Sequence, residues 1–438
     1  MATAAVDRLR ARRPHVALRA RLRTTPGRLR LAAGVLALAA IAFGVALATA
    51  AASRRQAADA VATRTEPLLV EADGLYASLS DADATATTTF LIGGLEPVAR
   101  RRRYLGDLAS ASARLTTLTE QLGGSAEARA AVATLANGLP AYSGLIEAAR
   151  ANNRQGLPVG AAYLRRASGL MHDAILPAAG QLYGIEARRL DADYRSSTSA
   201  TGYIALAVAG TLLLALLVGT QLGLARFTHR ILNVPLVLAT VLLVGVAVWV
   251  LVAFVSAQNA LSDAQRKGSD SVQVLSAVRF LALRAQRDEG LALVARGGDT
   301  QDQKDFETVM RTLAPTGAGG LLGEASRLAA RAGSTAGIDR LRSTIVAYED
   351  VHRRVVGAAN GGDVNDANRT FIADETPISD RLDRDLQGQV ATAQGRFARS
   401  ARSATSDLRA LVLGIAVLAA AIAALAVAGL AKRIGEYR

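Results

Sequence analysis

Asp81 and Asp83 are the first residues in this sequence whose type and spacing could do chemistry. They lie beside Ser80, so carboxylate and hydroxyl oxygens come close together. Such oxygens are the ligands that hard cations prefer. Acidic residues at this spacing more often lie on a solvated helix face, and a cation site is therefore the less favoured of two interpretations.

A run of four arginines follows a short distance along the chain. It consists of Arg100, Arg101, Arg102 and Arg103, with Tyr104 directly after it. Because guanidinium groups bind carboxylates in a two-pronged geometry, the run could dock an acidic surface of an extracytoplasmic partner. The competing interpretation, which we favour, is a solvated helix face or local pairing with nearby acidic residues.

The sequence lacks the residue patterns of known catalytic sites. It contains no cysteine, no G-x-x-x-x-G-K-[ST] phosphate loop, no H-E-x-x-H motif and no kinase signature set. The four histidines, His15, His172, His229 and His352, are far apart in the sequence, which argues against a shared metal site. We therefore expect a protein that is not an enzyme and that uses no cofactor and no metal.

The elements that position these residues are organised around the middle of the chain, Ser196–Ser262. Its only Asp, Glu, Lys, Arg or His residues are Arg226, His229 and Arg230, and long apolar runs lie on both sides of them. About 20 apolar residues cross a bilayer core of roughly 30 Å. An arginine at the centre of a membrane helix costs about 2.5–3.5 kcal/mol, so two membrane helices joined by a basic turn are favoured over one buried helix.

Two further uncharged runs, Leu31–Ser53 and Ala410–Ala431, bring the number of predicted membrane spans to four. The first run could instead be a cleaved signal peptide, but its apolar core exceeds the usual 7–15 residues. The predicted order is a basic cytoplasmic arm (1–30), a first span (31–53), a first outer region (54–200), a second span (201–225), a cytoplasmic turn (226–234), a third span (235–257), a second outer region (258–409), a fourth span (410–431) and a cytoplasmic tail (432–438).

The net charge of +14 is concentrated in the short segments beside the spans. Residues 1–30 alone carry nine arginines against one aspartate. Short basic segments next to spans stay in the cytoplasm. We therefore predict a multi-pass protein of the cell membrane, with both termini in the cytoplasm and both outer regions outside. The basic arm is expected to contact anionic lipid, and nucleic-acid binding is disfavoured.

Both outer regions have the periodicity of amphipathic helices. In the first region, apolar residues recur at alternating steps of four and three at Leu68, Ala72, Leu75, Leu79, Ala82 and Ala86. Short matches between the regions indicate an internal repeat, including Tyr142 with Tyr348 and Pro177 with Pro377. The predicted fold class is an all-α membrane protein, with four transmembrane helices and two extracytoplasmic up-down four-helix bundles arranged as a tandem repeat.

Two further groups of residues have predicted roles in or beside the membrane. Gly219 and Gly223 form a G-x-x-x-G pattern in the second span, which favours close helix packing. Arg226, His229 and Arg230 set the topology, and they could also contact a cytoplasmic partner.

The first outer region resembles a known family of membrane proteins. The segment LYASLSDADATATTTFLIGGLEPVARRRRYLGDL at 75–108, preceded by TEPL at 65–68, is similar to the GlnX family of high-GC Gram-positive bacteria. The layout of spans and outer regions is similar too. The resemblance implies a relay in which a GlnH-like solute-binding lipoprotein takes up an acidic amino acid outside, and GlnX informs a cytosolic Ser/Thr kinase, PknG. It supplies no catalytic or ligand-binding residues.

Three functions remain open at this point. The favoured one is a non-enzymatic transmembrane signal relay that senses an acidic amino acid through a lipoprotein. The second is a bundle that binds a small ligand directly, as chemoreceptor sensor bundles do, and the third is a structural protein of the envelope. The oligomeric state is left open, with a homodimer among the alternatives.

Overall fold

The computed structural model describes residues 25–121, 125–198, 201–228, 233–295 and 300–435. Within these residues every regular element is a helix. Most of the predicted basic arm, with His15, and the centre of the predicted turn, with His229 and Arg230, lie outside the described residues. The predicted all-α class is confirmed.

The α-helices up to the centre of the chain are α1 (Thr25–Ala60), α2 (Glu66–Ile92), α3 (Val98–Gln121), α4 (Ala126–Arg154), α5 (Val159–Leu170), α6 (Leu176–Thr198) and α7 (Thr201–Thr228). Those that follow are α8 (Val234–Ala264), α9 (Asp270–Val294), α10 (Thr300–Leu313), α11 (Gly320–Arg331), α12 (Ala336–Asn360), α13 (Val364–Thr370) and α14 (Thr376–Gly435).

Four single-turn π-helical segments join consecutive α-helices without interrupting them. They are Val61–Thr65, Met171–Ile175, Gln265–Ser269 and Phe371–Glu375. Segments of this kind are inserted turns within α-helices and are frequent at functional sites. Each outer region has one segment beside its first long helix and another beside its last helix, which adds a structural correspondence to the predicted repeat.

Four helices are long and apolar enough to cross a membrane. These candidate spans lie in Leu29–Ile92, Ala207–Arg226, Val234–Ala260 and Gly414–Ala431. The first of them is 64 residues long because α1 continues through a π segment into α2. The chain is therefore an all-α membrane protein, as the sequence predicts.

The described parts of residues 1–58, 195–259 and 403–438 form one compact unit, which we call the span unit. Small residues let its helices approach closely, as is usual in membranes. A Cβ atom at Gly44 would collide with Ala419, and Gly414 lies against the Trp249 ring.

The helix-packing role of Gly219 and Gly223 stays a prediction. Apart from the backbone of α7 itself, no described atom lies within 4 Å of a Cβ built on either glycine. Gln221 makes an interhelical contact. Its Nε2 atom donates to the carbonyl oxygen of Leu236 at 2.9 Å and to Oγ1 of Thr240 at 2.8 Å.

We expect Gln221→Leu to weaken the packing of α7 against α8 by about 0.6–1.7 kcal/mol, the range of interhelical hydrogen bonds in membrane proteins. Denaturation by SDS of the chain in micelles measures this change. Thr220→Val is the matched control, because the Thr220 hydroxyl donates to Leu216 within its own helix. Equal stability of the two variants would contradict the assigned role of Gln221.

Residues 59–194 and 260–402 form a second compact unit, which we call the large unit. Its two main cores are built from the first and second outer regions respectively. The predicted face of α2 is buried in the first core at every one of its positions, Leu68, Ala72, Leu75, Leu79, Ala82 and Ala86.

The two outer regions pack against each other within the large unit. The rings of Tyr76 on α2 and Phe280 on α9 have centroids 4.1 Å apart. Gly290 on α9 lies so close to Thr87 that a Cβ atom there would be 2.7 Å from the threonine methyl group. The division into two up-down bundles stays a prediction. The residues of both predicted bundles belong to the same compact unit.

Candidate functional site

Two of the predicted arginines join the outer regions through ion pairs. Arg103 contacts Asp81 at 2.7 Å in its own region, and it contacts Asp380 at 2.6 Å and Asp383 at 3.4 Å on α14. Arg100 contacts Asp380 at 3.1 Å. These guanidinium groups therefore bind carboxylates of the same chain.

The other residues of the predicted run are in three different environments. Arg101 pairs with Glu147 on α4 at 2.7 Å. Tyr104 is buried in the first core, so its ring is not a surface for a partner. Arg102 is exposed, and no ion pair from it occurs among the described residues. Docking of an acidic partner stays a prediction, and Arg102 is the arginine of this run best placed for it.

Asp83 and Asp81 each have hydrogen-bond donors within the protein. Asp83 is fully buried and accepts hydrogen bonds from the Tyr142 hydroxyl at 3.1 Å and the Ser168 hydroxyl at 2.6 Å. Asp81 accepts two hydrogen bonds from Arg103. Their oxygens are thus occupied by protein donors, which explains why a cation is not needed here.

A second buried polar cluster lies in the second outer region and was not predicted. It consists of Glu289 on α9, His352 on α12 and Glu375 in the last π segment, with the Tyr348 hydroxyl beside both carboxyl groups. All four residues are buried. The Nδ1 atom of His352 is 2.8 Å from Oε2 of Glu289.

Burial governs the protonation of this cluster. Burial raises the pKa of Glu289 to about 7. Burial and the neighbouring Glu289 raise the pKa of Glu375 well above its ordinary value. Burial also lowers the pKa of His352 to about 4, so this imidazole is neutral at pH 7. A neutral imidazole offers a lone pair to a ligand.

A cleft of about 770 Å³ adjoins this cluster on the side of His352. The Phe306 ring stacks on the imidazole with centroids 3.4 Å apart, which fixes the orientation of the histidine. The wall carries charges of both signs together with apolar side chains. Lining residues include Glu307, Met310, Arg311, Glu349, Arg353 and Val356. Such a lining suits a small zwitterionic ligand.

The cluster has a signal in the sequence that is visible after the fact. Leu275 and Ala282 lie at heptad spacing on α9, and the next position at this spacing is Glu289. The apolar face of α14 similarly leads back from Leu382 through steps of three and four to Glu375. A carboxylate at the end of a buried line indicates a buried polar site.

Arg226 is exposed at the end of α7, and His229 and Arg230 lie outside the described residues. Their contact with a cytoplasmic partner stays a prediction. No ionic contact of Arg226 occurs within the described part of the chain.

Comparison with known proteins finds a family model that matches the first outer region. Residues 57–195 match the family described as the actinobacterial sensor domain. No curated protein and no solved structure matches the chain. The matched segment spans α2 to α6 and includes the buried Asp83 cluster and the arginine run. The first outer region is thus similar to actinobacterial sensor domains, which supports a role of this membrane protein in sensing and signal transduction.

Proposed function

We propose that the chain is a multi-pass membrane sensor that passes an extracytoplasmic signal to a cytosolic protein without catalysing a reaction itself. The observation that carries the proposal is helix continuity between the two units. Helices run without a break over 25–92, 234–294 and 376–435, each from one unit into the other. Because a helix is stiff, a shift of about 1–2 Å at one end can be transmitted along it.

The resemblance to the GlnX family supports specific partners for this relay. We propose a GlnH-like lipoprotein that presents an acidic amino acid to the large unit, and a PknG-like Ser/Thr kinase that reads the cytoplasmic segments. The basic arm and the exposed Arg226 are the proposed cytoplasmic contacts. The exposed Arg102 is the proposed contact for an acidic surface outside.

Disulfide crosslinking between the first and second spans tests the relay. Gly210 on α7 faces the Phe43 ring of α1, since a Cβ there would lie 3.4 Å from it. The chain has no native cysteine, so Phe43→Cys combined with Gly210→Cys gives a single defined pair. We expect the crosslinking rate to change at least severalfold when the lipoprotein is saturated with its amino acid.

Phe43→Cys alone, which leaves the chain with one cysteine, is the control for crosslinks between chains. Equal crosslinking of the Phe43→Cys and Gly210→Cys pair with and without loaded lipoprotein would contradict the relay. A partner that shifts the ratio of two conformations from 1:99 to 99:1 must bind one of them more tightly by about 5.5 kcal/mol. A smaller difference in partner affinity gives a smaller change in the crosslinking rate.

The cleft beside His352 favours a second candidate function, direct binding of a small ligand. Its volume and its mixed charges would accommodate a free amino acid. Calorimetric titration of the full chain with free glutamate and aspartate, without lipoprotein, distinguishes the two. Saturable binding supports the direct sensor, whereas binding that needs the lipoprotein supports the relay. If the chain binds neither the free amino acid nor the loaded lipoprotein, a structural role in the envelope is favoured.

A further inference from the structure

The buried cluster of Glu289, His352 and Glu375 has the arrangement of a metal site. One ligand atom from each side chain, a carboxylate oxygen or an imidazole nitrogen, lies within 4.8 Å of the other two. The three residues come from α9, α12 and the π segment Phe371–Glu375, so they converge from separate helices. Small movements of side chains would bring all three atoms to one ion.

The polar neighbours of the carboxylates in this cluster are members of the cluster itself, namely His352, Tyr348 and the other carboxyl group. Glu375 is 0% exposed and Glu289 is 6% exposed. None of their four carboxylate oxygens takes part in a hydrogen bond of acceptable geometry with the described residues, and the same holds for Nδ1 of His352 and the Tyr348 hydroxyl. Buried polar groups in native proteins almost always have a partner, so this set calls for one.

Three buried carboxylates of the large unit, those of Asp83, Asp383 and Asp288, have protein partners. The Asp83 carboxylate accepts hydrogen bonds from the Tyr142 and Ser168 hydroxyls in the first outer region. Asp383 contacts Arg279 at 2.6 Å, and Asp288 pairs with Arg287. The ion-pair contact of Glu289 among the described residues is with His352, at 2.8 Å.

We propose that Glu289, His352 and Glu375 bind one divalent transition-metal ion, with Zn²⁺ as the best match. Imidazole nitrogen and carboxylate oxygen are both ligands that Zn²⁺ takes in proteins, whereas Ca²⁺ takes six to eight oxygen ligands. A dication neutralises the two carboxylates and occupies the unpartnered oxygens. Three protein ligands leave the fourth tetrahedral position open to water or to a ligand.

Zinc binding to the full chain in detergent micelles tests the site. The protein is stripped with a chelator, dialysed, and titrated with Zn²⁺ against a chromophoric chelator. We expect one Zn²⁺ per chain, and at least about 100-fold weaker binding in Glu289→Gln and in Glu375→Gln. Glu349→Gln is the matched control, because Glu349 lies on α12 beside the cleft and outside the cluster. It should bind like the unaltered chain.

X-ray absorption at the zinc edge of the unaltered chain gives a readout that does not depend on any variant. We expect nitrogen and oxygen neighbours at about 2.0–2.2 Å, with the outer-shell scattering of one imidazole. Circular dichroism verifies that each variant is folded before its affinity is compared.

Three results would overturn the proposal. They are the absence of stoichiometric Zn²⁺ binding, a spectrum without imidazole, and equal affinity of the control and the two glutamine variants. If Glu289 and Glu375 share a proton and bind no metal, the titration will show no stoichiometric Zn²⁺ binding. The outcome is independent of the relay, since the crosslinking between spans is measured without added metal.

Discussion

Arg103→Ala is expected to destabilise the large unit by about 3 kcal/mol. The guanidinium holds Asp81 and Asp383, whose side chains are 8% and 5% exposed, and removing it leaves their charges with fewer partners. Loss of one member of a buried ion pair typically costs about 3–5 kcal/mol. The lower end applies because Arg103 itself is 28% exposed and Asp383 keeps its contact with Arg279. Chemical denaturation of the full chain, followed by circular dichroism, measures the change.

Arg102→Ala is the control for this prediction. Arg102 is the neighbouring residue in the same helix and is exposed, so its removal should change the unfolding free energy by no more than about 0.5 kcal/mol. If Arg102 docks an acidic partner, this variant should instead lose affinity for that partner while remaining stable. Similar stability of the Arg103 and Arg102 variants would show that the ion pairs between the outer regions contribute little.

Gly268→Leu is expected to cost about 3 kcal/mol, the upper end for overpacking. Gly268 lies in the π segment Gln265–Ser269, where the helix leading from the third span crosses α14. A Cβ atom there would be 2.6 Å from Cβ of Phe397 and 2.9 Å from its Cα. Because backbone cannot swing aside as a flexible side chain can, the two helices must separate.

Gly395→Leu is the matched control, two residues from Phe397 on α14 with open space around its Cβ position. Both variants replace a helical glycine by leucine, and this replacement by itself should stabilise the helix by up to about 1 kcal/mol through higher helix propensity. The difference in thermal unfolding between the variants therefore isolates the clash. Gly268→Leu should also shift the crosslinking between spans if this crossing transmits the signal. Variants of equal stability would rule out the close approach.

Periodicity was the part of the sequence that predicted structure best. The line of apolar residues on α2 is buried as expected, and α14 runs from Thr376 into the fourth candidate span without a break. These features depend on residues three and four positions apart, which are neighbours on the surface of any α-helix. The four candidate spans follow from length and apolar composition for the same reason.

Contacts between distant residues could not be predicted in this way. Arg103 and Asp380 are 277 positions apart, and no local pattern indicates which of many acidic residues an arginine will meet. The Glu289 cluster depends equally on tertiary packing, since its members lie on three separate helices. The packing predicted for Gly219 and Gly223 stays a prediction, because a G-x-x-x-G pattern describes one helix and does not say which helix it meets.

The central claim is that the large unit receives the signal outside the cell and that the basic segments pass it on in the cytoplasm. Labelling of single cysteines from outside the cell tests this claim. The absence of native cysteine makes Arg102→Cys and Arg226→Cys unambiguous reporters, and both positions are exposed. We expect a membrane-impermeant maleimide to label Arg102→Cys in intact cells and Arg226→Cys after lysis alone. Labelling of Arg226→Cys in intact cells, with Arg102→Cys protected until lysis, would contradict the account.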